Sequence, residues 1–133
     1  MEQSAGLGAI RNLDYAVLLC DDIAAMRDFY TRILGFEVRH EIDGKWVELE
    51  IGAALLALRR RSRPYDGPAP DPDSASVQLA FRVSPDDVET ALSQLAELGI
   101  EPLEPIADLD DFGHRVLFIA DPEHNIIEIY AEI

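Results

Sequence analysis

The chain has 133 residues, of which 48% are hydrophobic and 28% are charged, and its net charge at pH 7 is −15. This length favours one folded domain with a single core. With 26 acidic residues against 11 basic ones, the chain repels phosphate backbones and anionic lipid surfaces and attracts small cations. We therefore expect a small-molecule ligand as partner, and neither nucleic acid nor a membrane.

A lone cysteine and the first residues of the chain bear on location. Cys20 has no partner for an internal disulfide and lies in an apolar run, which predicts a buried, unreactive thiol in a reducing compartment. The first ten residues show no basic region followed by an apolar run, so no signal peptide is predicted. No apolar stretch reaches membrane-spanning length. Together these features predict a cytoplasmic protein.

The first half of the chain is predicted to form a strand, a helix and three strands. Residues 13–20 are apolar on both faces of a strand, so we expect both faces to be covered. Asp21 or Asp22 is expected to cap the helix that follows, and Gly35 to end it. Three strands are then predicted at 36–42, 45–51 and 54–60, the first two joined by an Asp-Gly turn.

Residues 61–74 interrupt this pattern with four prolines and a glycine, which is typical of a semi-rigid linker. They separate a first module, about residues 11–60, from a second module, about residues 75–133. The second module repeats the first: a strand at 76–83, a helix that starts at Ser84-Pro85, and strands at about 100–107, 115–120 and 126–132.

A strand–helix–three-strand unit that occurs twice determines the predicted fold. Neither unit can bury both faces of its sheet alone. We predict an α+β protein, a single domain over 1–133, in which two tandem βαβββ modules form a curved, barrel-like mixed sheet with helices outside and a cavity within.

The last hairpin carries the most specific pattern. Asp121-Pro122 is predicted to open a turn, and Asn125, which tolerates a positive φ, is predicted to close it. Beyond the turn, Ile127 and Ile129 fall on one face of a strand, and Glu128 and Tyr130 on the other. A charge in the middle of such a strand is costly unless its face borders a cavity or a metal site.

Two segments resemble a known family. Residues 29–36, FYTRILGF, are similar to the FY-x-x-x-LGF segment of the vicinal oxygen chelate superfamily, and residues 113–128 are similar to its F-x-DP-x-GN-x-IEL ending. The resemblance extends over about residues 11–133. That superfamily contains glyoxalase I, extradiol dioxygenases, fosfomycin-modifying enzymes and bleomycin-binding proteins, so the resemblance implies the fold without choosing among these functions.

The resemblance also implies where a divalent metal would bind. The four ligand positions of the metal-dependent members correspond here to Tyr15, Ala57, Gln78 and Glu128. Glu128 is a good ligand and Gln78 a weak one, whereas Ala57 offers no donor atom. We therefore regard a divalent metal as possible but not favoured.

Other polar and aromatic residues are candidates for ligand binding, and each has a structural alternative. His114 is predicted to share a strand face with Val116 and Phe118, where it either binds a ligand beside Glu128 or bonds a loop carbonyl at the rim. Tyr15 and Gln78 either contact a ligand or form a buried network with Glu128. The remaining candidates are Arg82, as an ion-pair or anion partner, Trp46, as a wall for cations or part of a solvated face, and Tyr130, beside Glu128.

Three further features are expected to lie at the surface. His124 takes the place of the family's turn glycine, and His40 ends a strand. The run Arg59 to Arg63 either grips an anionic group or forms a solvated strand end that contacts a partner subunit.

The sequence leaves two functional hypotheses. In the first, the protein binds a cationic or aromatic small molecule in an acidic cavity, as bleomycin-resistance proteins do, without a tightly held metal. In the second, it is a lyase, isomerase or dioxygenase-type enzyme that uses Glu128 as a general acid/base or as a metal ligand. A homodimer is expected in either case, and the family resemblance implies that the modules pair within one chain or across the dimer.

Overall fold

The structure is a computed structural model in which residues 5–133 are described. The first half contains a 3₁₀ turn at Gly6–Ala9, strand β1 (Ala16–Cys20), helix α1 (Ile23–Asp28) continued by a π-helical turn (Phe29–Ile33), and strands β2 (Glu37–Ile42), β3 (Trp46–Ile51) and β4 (Ala54–Arg60). The second half contains β5 (Gln78–Arg82), α2 (Pro85–Glu97), β6 (Ala107–Leu109), β7 (His114–Ala120) and β8 (Ile126–Glu132).

Each half forms its own four-stranded mixed sheet. The strand order is β1-β4-β3-β2 in the first sheet and β5-β8-β7-β6 in the second. In both, the first and last strands of the module pair in parallel and the other pairs are antiparallel. The predicted duplication of a βαβββ module is confirmed. Within residues 5–133 no strand pairing joins the two sheets, so they do not close into a barrel.

Helix α1 begins and stops as predicted, but its last turn has a different geometry. The Asp22 carboxylate accepts a hydrogen bond of 3.0 Å from the backbone N–H of Ala25, and Gly35 adopts a φ of +79° after the last turn. That last turn is π-helical, because the N–H of Leu34 donates to the carbonyl of Phe29, 3.1 Å away. The wider turn changes the direction of the side chains between α1 and β2.

Two strand predictions require correction. The predicted strand at 100–107 is instead an extended loop followed by the three-residue β6, because Pro102 and Pro105 lack the N–H groups that a ladder needs. The expectation that both faces of β1 are covered is also wrong. Leu18 and Cys20 are buried, but Val17 remains 37% exposed, since α1 packs against only one face.

Cys20 lies fully inside the core. Burial, reinforced by the negative charges of Glu123 and Asp21, raises the pKa of this thiol to about 12. A group that stays protonated at neutral pH and is shielded from solvent is a poor nucleophile, in agreement with the unreactive thiol that the sequence predicts.

The turn between β7 and β8 is built around the Asp121 carboxylate, which is 3% exposed. It accepts four hydrogen bonds: from the Tyr30 hydroxyl at 2.7 Å, the Asn125 side chain at 2.8 Å, and the backbone N–H groups of Glu123 and Asn125 at 2.9 and 3.0 Å. The positive φ predicted for Asn125 belongs to His124, at 71°. Asn125 serves as a donor to Asp121 instead.

This turn connects the two modules. Tyr30 comes from the first module, so its bond to Asp121 spans the junction. Burial and the adjacent Asp121 charge raise the pKa of Tyr30 far above its ordinary value, so the hydroxyl remains a donor. One oxygen of Glu123 also accepts the backbone N–H groups of Asp21 and Asp22, at 2.9 and 2.8 Å. A single apolar core cluster runs through both modules beneath these bonds.

In the part of the chain that the structure describes, no helix has the length and apolar character needed to cross a lipid bilayer.

We expect Tyr30→Phe to lower the free energy of unfolding by about 2 kcal/mol, because it removes a hydrogen bond to a buried charge while preserving the ring. Urea denaturation measures the change. Tyr65→Phe is the matched control, since Tyr65 is 77% exposed. Equal effects of the two substitutions would contradict a role for the Tyr30 hydroxyl in joining the modules.

Candidate functional site

A cavity of about 340 Å³ lies on the open face of the second sheet, opposite α2. Its volume is at the lower end of the roughly 300–1,000 Å³ that small-molecule sites occupy. Strands β5, β6, β7 and β8 and the turn before β7 supply its walls. The lining residues are Gln78, Ala80, Leu109, Phe112, His114, Phe118, Glu128 and Tyr130.

The polar part of this cavity is a pair formed by Gln78 and Glu128. Ala80 pairs with Glu128 across the parallel strands, so Gln78, two residues earlier on the same face, is the diagonal neighbour of Glu128. The Gln78 amide donates a 2.9 Å hydrogen bond to one oxygen of Glu128. The other carboxylate oxygen and the Gln78 carbonyl oxygen remain as acceptors, so the pair suits a ligand that donates hydrogen bonds or carries positive charge.

The opposite part of the cavity is aromatic. The rings of His114 and Tyr130 stack with centroids 4.4 Å apart and an interplanar angle of 28°. Phe112 extends the wall, 6.0 Å from His114, and Phe118 stands opposite Glu128 on the neighbouring strand. Such a surface favours planar or cationic groups through stacking and cation–π contact.

Three of the predicted ligand-binding residues do not line this cavity. Tyr15 packs edge-on against Trp46, with centroids 6.0 Å apart, on the first sheet. The Trp46 indole N–H donates to Glu48. Arg82 forms an exposed ion pair of 2.9 Å with Glu132, rather than contacting Glu128. The structure thus brings together Gln78, His114, Glu128 and Tyr130, and leaves Tyr15, Trp46 and Arg82 outside.

Sequence reasoning missed Phe112 as a lining residue. It is 69% exposed and lies in the loop before β7, where no strand was predicted. A turn over residues 110–113 separates Phe112 from β7, and Gly113 within it has a φ of +64°. The alternation along β7 therefore does not extend to Phe112, and no periodic signal in the sequence placed it at this cavity.

Comparisons with known proteins identify the family. The sequence model of the Glyoxalase/Bleomycin resistance protein/Dioxygenase superfamily matches residues 12–129. The chain belongs to this superfamily. It is also 32% identical, over 123 residues, to the glyoxalase domain-containing protein RDO1 of Mycosarcoma maydis, a match that covers 91% of this chain and 68% of that protein.

Solved structures of the superfamily share the fold. A glyoxalase/bleomycin resistance protein/dioxygenase from Nocardioides is 25% identical, with a TM-score of 0.78 over 93% of this chain and 85% of that one. A lactoylglutathione lyase from Agrobacterium tumefaciens is 21% identical, with a TM-score of 0.72 over 90% and 92% of the two chains. A fosfomycin resistance protein from Mesorhizobium loti is 14% identical, with a TM-score of 0.68 over 93% and 94%. The last two likenesses concern the fold alone.

The donor atoms present do not fit the metal centre that the superfamily resemblance implies. Val17 pairs with Ala57 in the first sheet as Ala80 pairs with Glu128 in the second, so Tyr15 and Ala57 are the counterparts of Gln78 and Glu128. Ala57 carries no donor atom. Within residues 5–133, no three His, Cys, Asp or Glu side chains are grouped closely enough to hold an ion. One carboxylate and one amide are too few ligands for a tightly bound divalent cation.

A larger cavity, about 480 Å³, lies between the two modules beside β1 and β5. Its walls are aliphatic and aromatic, and Arg82 is the only polar side chain among the residues that line it. Without convergent polar groups it offers little to orient a substrate. The chemistry is therefore concentrated in the cavity around Glu128, which we call the Glu128 cavity.

We expect protein purified without chelators to contain transition metal at well below one ion per chain, because only Gln78 and Glu128 provide adjacent donors at the implied position. Inductively coupled plasma mass spectrometry measures the content. A stoichiometric metal that is lost in Glu128→Ala would contradict this expectation and restore the metal-dependent interpretation.

Proposed function

We propose that the protein binds a small planar molecule with a cationic or hydrogen-bond-donating group in the Glu128 cavity, without needing a tightly held metal. The observation that carries this proposal is the combination of the Gln78–Glu128 acceptor pair with the stacked rings of His114 and Tyr130 in one cavity. The carboxylate selects for positive charge or donors, and the aromatic wall selects for flat groups.

The charge of the whole chain supports the same ligand class. A net charge of −15 raises the local concentration of cations and speeds their encounter with the protein. Sequestration of a basic antibiotic or other toxic cation is one biological use of such binding, and it would place the protein among the resistance members of the superfamily. A cytoplasmic location, which the sequence predicts, would suit that use.

We expect a panel of basic glycopeptides and planar aromatic amines to include at least one ligand that isothermal titration detects. Glu128→Gln should weaken its binding about tenfold, the loss expected when one charge-assisted hydrogen bond is removed. Glu132→Gln is the matched control, because Glu132 lies on the same strand and face but pairs with Arg82 outside the cavity.

Two outcomes would contradict the proposal. Failure of every cationic or planar member of the panel to bind would remove the proposed ligand class. An equal loss of affinity in the Glu128 and Glu132 variants would show that the effect arises from net charge and not from the cavity.

An enzymatic role is the second candidate function, favoured by the placement of two titratable side chains, Glu128 and His114, in one cavity. No side chain or backbone group among residues 5–133 donates to the second Glu128 oxygen, which leaves it to take a proton from a bound substrate. Mass spectrometry of the bound ligand after incubation separates the two functions. An enzyme is indicated if the native protein forms a product and Glu128→Gln forms none while it still binds the ligand. A binding protein is indicated if the ligand stays unchanged.

We further propose that the functional unit is a homodimer in which the open face of the first sheet from one copy covers the Glu128 cavity of the other. Support comes from apolar side chains left in solvent in the segment before β1: Leu7 is 88% exposed, Leu13 is 90% exposed and Tyr15 is 40% exposed. Covering them would stabilise the assembly through the hydrophobic effect. This arrangement would also bring Tyr15 towards the ligand.

Sedimentation velocity at micromolar concentration is expected to give a dimer, and Leu13→Asp is expected to shift it towards monomer by placing a charge in the apolar interface. Leu98→Asp serves as control, since Leu98 is 41% exposed at the end of α2 on the far side of the sheet. A monomeric native protein, or dissociation in both variants, would refute this arrangement.

A further inference from the structure

A third cavity, of about 290 Å³, lies on the first module and differs from the Glu128 cavity in electrostatic character. It is bordered by the β2–β3 hairpin and by the segment that follows β4. Lys45, Arg59, Arg60 and Arg63 line it, four of the 11 basic residues in a chain with a net charge of −15. No acidic side chain is among its lining residues. The local field therefore favours anions in a protein that otherwise repels them.

One of these arginines is structural. Arg59 forms a bidentate pair with Asp66, with N–O distances of 2.9 and 2.7 Å. The same carboxylate accepts the backbone N–H groups of Ser62 and Arg63, each at 2.9 Å. Arg59 and these N–H groups hold the pKa of Asp66 well below its usual range. The pair is therefore neutral overall and fixes the loop that brings Arg63 to the cavity.

The other three cations are not neutralised. Across residues 5–133, none of Lys45, Arg60 and Arg63 forms a salt bridge. Among the described residues, the Arg63 guanidinium donates one side-chain hydrogen bond, to the Tyr65 hydroxyl at 3.2 Å. Three positive charges thus border one concave surface without a protein carboxylate to balance them, which is the arrangement that carboxylate and phosphate groups bind.

The floor of the cavity is apolar. Trp46 pairs with Arg59 on one side and with Ile42 on the other, so the indole and the isoleucine side chain lie next to each other on the sheet. The indole N–H donates to Glu48, at 3.3 Å, which is itself 3.6 Å from Arg39. Glu48, two residues from Trp46 on the same strand, is thus already engaged, and the indole ring is left to contact a ligand.

We propose that this cavity is a binding site for a small organic anion. The phosphate or carboxylate group contacts Lys45, Arg60 and Arg63, and the apolar body lies on Trp46 and Ile42. Within one chain the site shares no lining residue with the Glu128 cavity and lies on the other module. It does not depend on the function proposed for the Glu128 cavity. It assigns a role to the basic run at the end of β4, which the function of the Glu128 cavity does not use.

Trp46 provides the measurement, because it is the only tryptophan in the chain. Its fluorescence is followed while the full-length protein is titrated with phenyl phosphate, benzoate, inorganic phosphate or benzyl alcohol. We expect a saturable change with phenyl phosphate or benzoate, a weaker response to inorganic phosphate, and none to benzyl alcohol over the same range. Whichever aromatic anion binds more tightly identifies the anionic group that the site prefers.

The matched variants separate local contacts from net charge. The double substitution Lys45→Ala/Arg60→Ala removes two positive charges from the cavity, and Arg32→Ala/Arg82→Ala removes two from exposed positions elsewhere. The first pair should weaken binding of the aromatic anion at least tenfold, the second should change it less than threefold, and Glu128→Gln should leave it intact. Circular dichroism verifies that both double variants are folded.

Three results would overturn the proposal. One is the absence of a saturable Trp46 response to either aromatic anion. Another is an equal response to neutral benzyl alcohol, which would show that only the apolar surface is involved. The third is an equal loss of affinity in the two double variants, which would assign the effect to the overall charge of the chain.

Discussion

The buried carboxylate of Asp121 is the constraint on which the relation between the two modules depends. It lies in the core, forms no salt bridge with any cation of residues 5–133, and accepts four hydrogen bonds. Three of the four come from its own turn and the fourth from Tyr30 in the other module, so the turn is complete only when the modules are docked. Glu123, in the same turn, adds two more hydrogen bonds to the first module by accepting the backbone N–H groups of Asp21 and Asp22. Because a buried charge with a missing donor is costly, these contacts specify the docked geometry more sharply than the shared apolar core does.

Docking through this turn leaves the outer faces of both sheets open, and that is where the two candidate sites lie. The duplicated modules keep the same strand order and the same register, yet equivalent positions have different chemistry. The second module places Gln78 and Glu128 where the first has Tyr15 and Ala57. One half of the duplication therefore retains a polar centre, while the other half presents an aromatic pair, Tyr15 and Trp46. The two repeated modules therefore differ in chemistry at the positions equivalent to Gln78 and Glu128.

The duplication, both helix starts and most strands were predictable from the sequence, because alternation, capping residues and glycine stops are local signals. The face of β8 that carries Glu128 and Tyr130 followed from the same alternation. The predictions that were wrong concern tertiary contacts between residues that local sequence patterns do not relate. Nothing local distinguishes His124 from Asn125 as the residue with positive φ, since Asn125 is recruited by Asp121 across the turn. Likewise, the partner of Arg82 depends on which neighbour on β8 is nearest, and the exposure of Val17 depends on what covers the sheet. Such facts require the relative positions of elements that are far apart in sequence.

Net charge alone is an incomplete guide to what this protein binds. A value of −15 predicts attraction of cations over long distances, and the acceptor pair at Glu128 agrees with it. Selectivity at contact is decided within a few ångströms, however, because salt screens the interactions of more distant exposed charges at physiological ionic strength. At the first module, the Arg59–Asp66 pair neutralises itself and leaves Lys45, Arg60 and Arg63 to set the local field. One acidic chain can therefore present an acidic cavity and a basic one on different modules, and the distribution of ion pairs, more than the sum of charges, determines which ligand each cavity accepts.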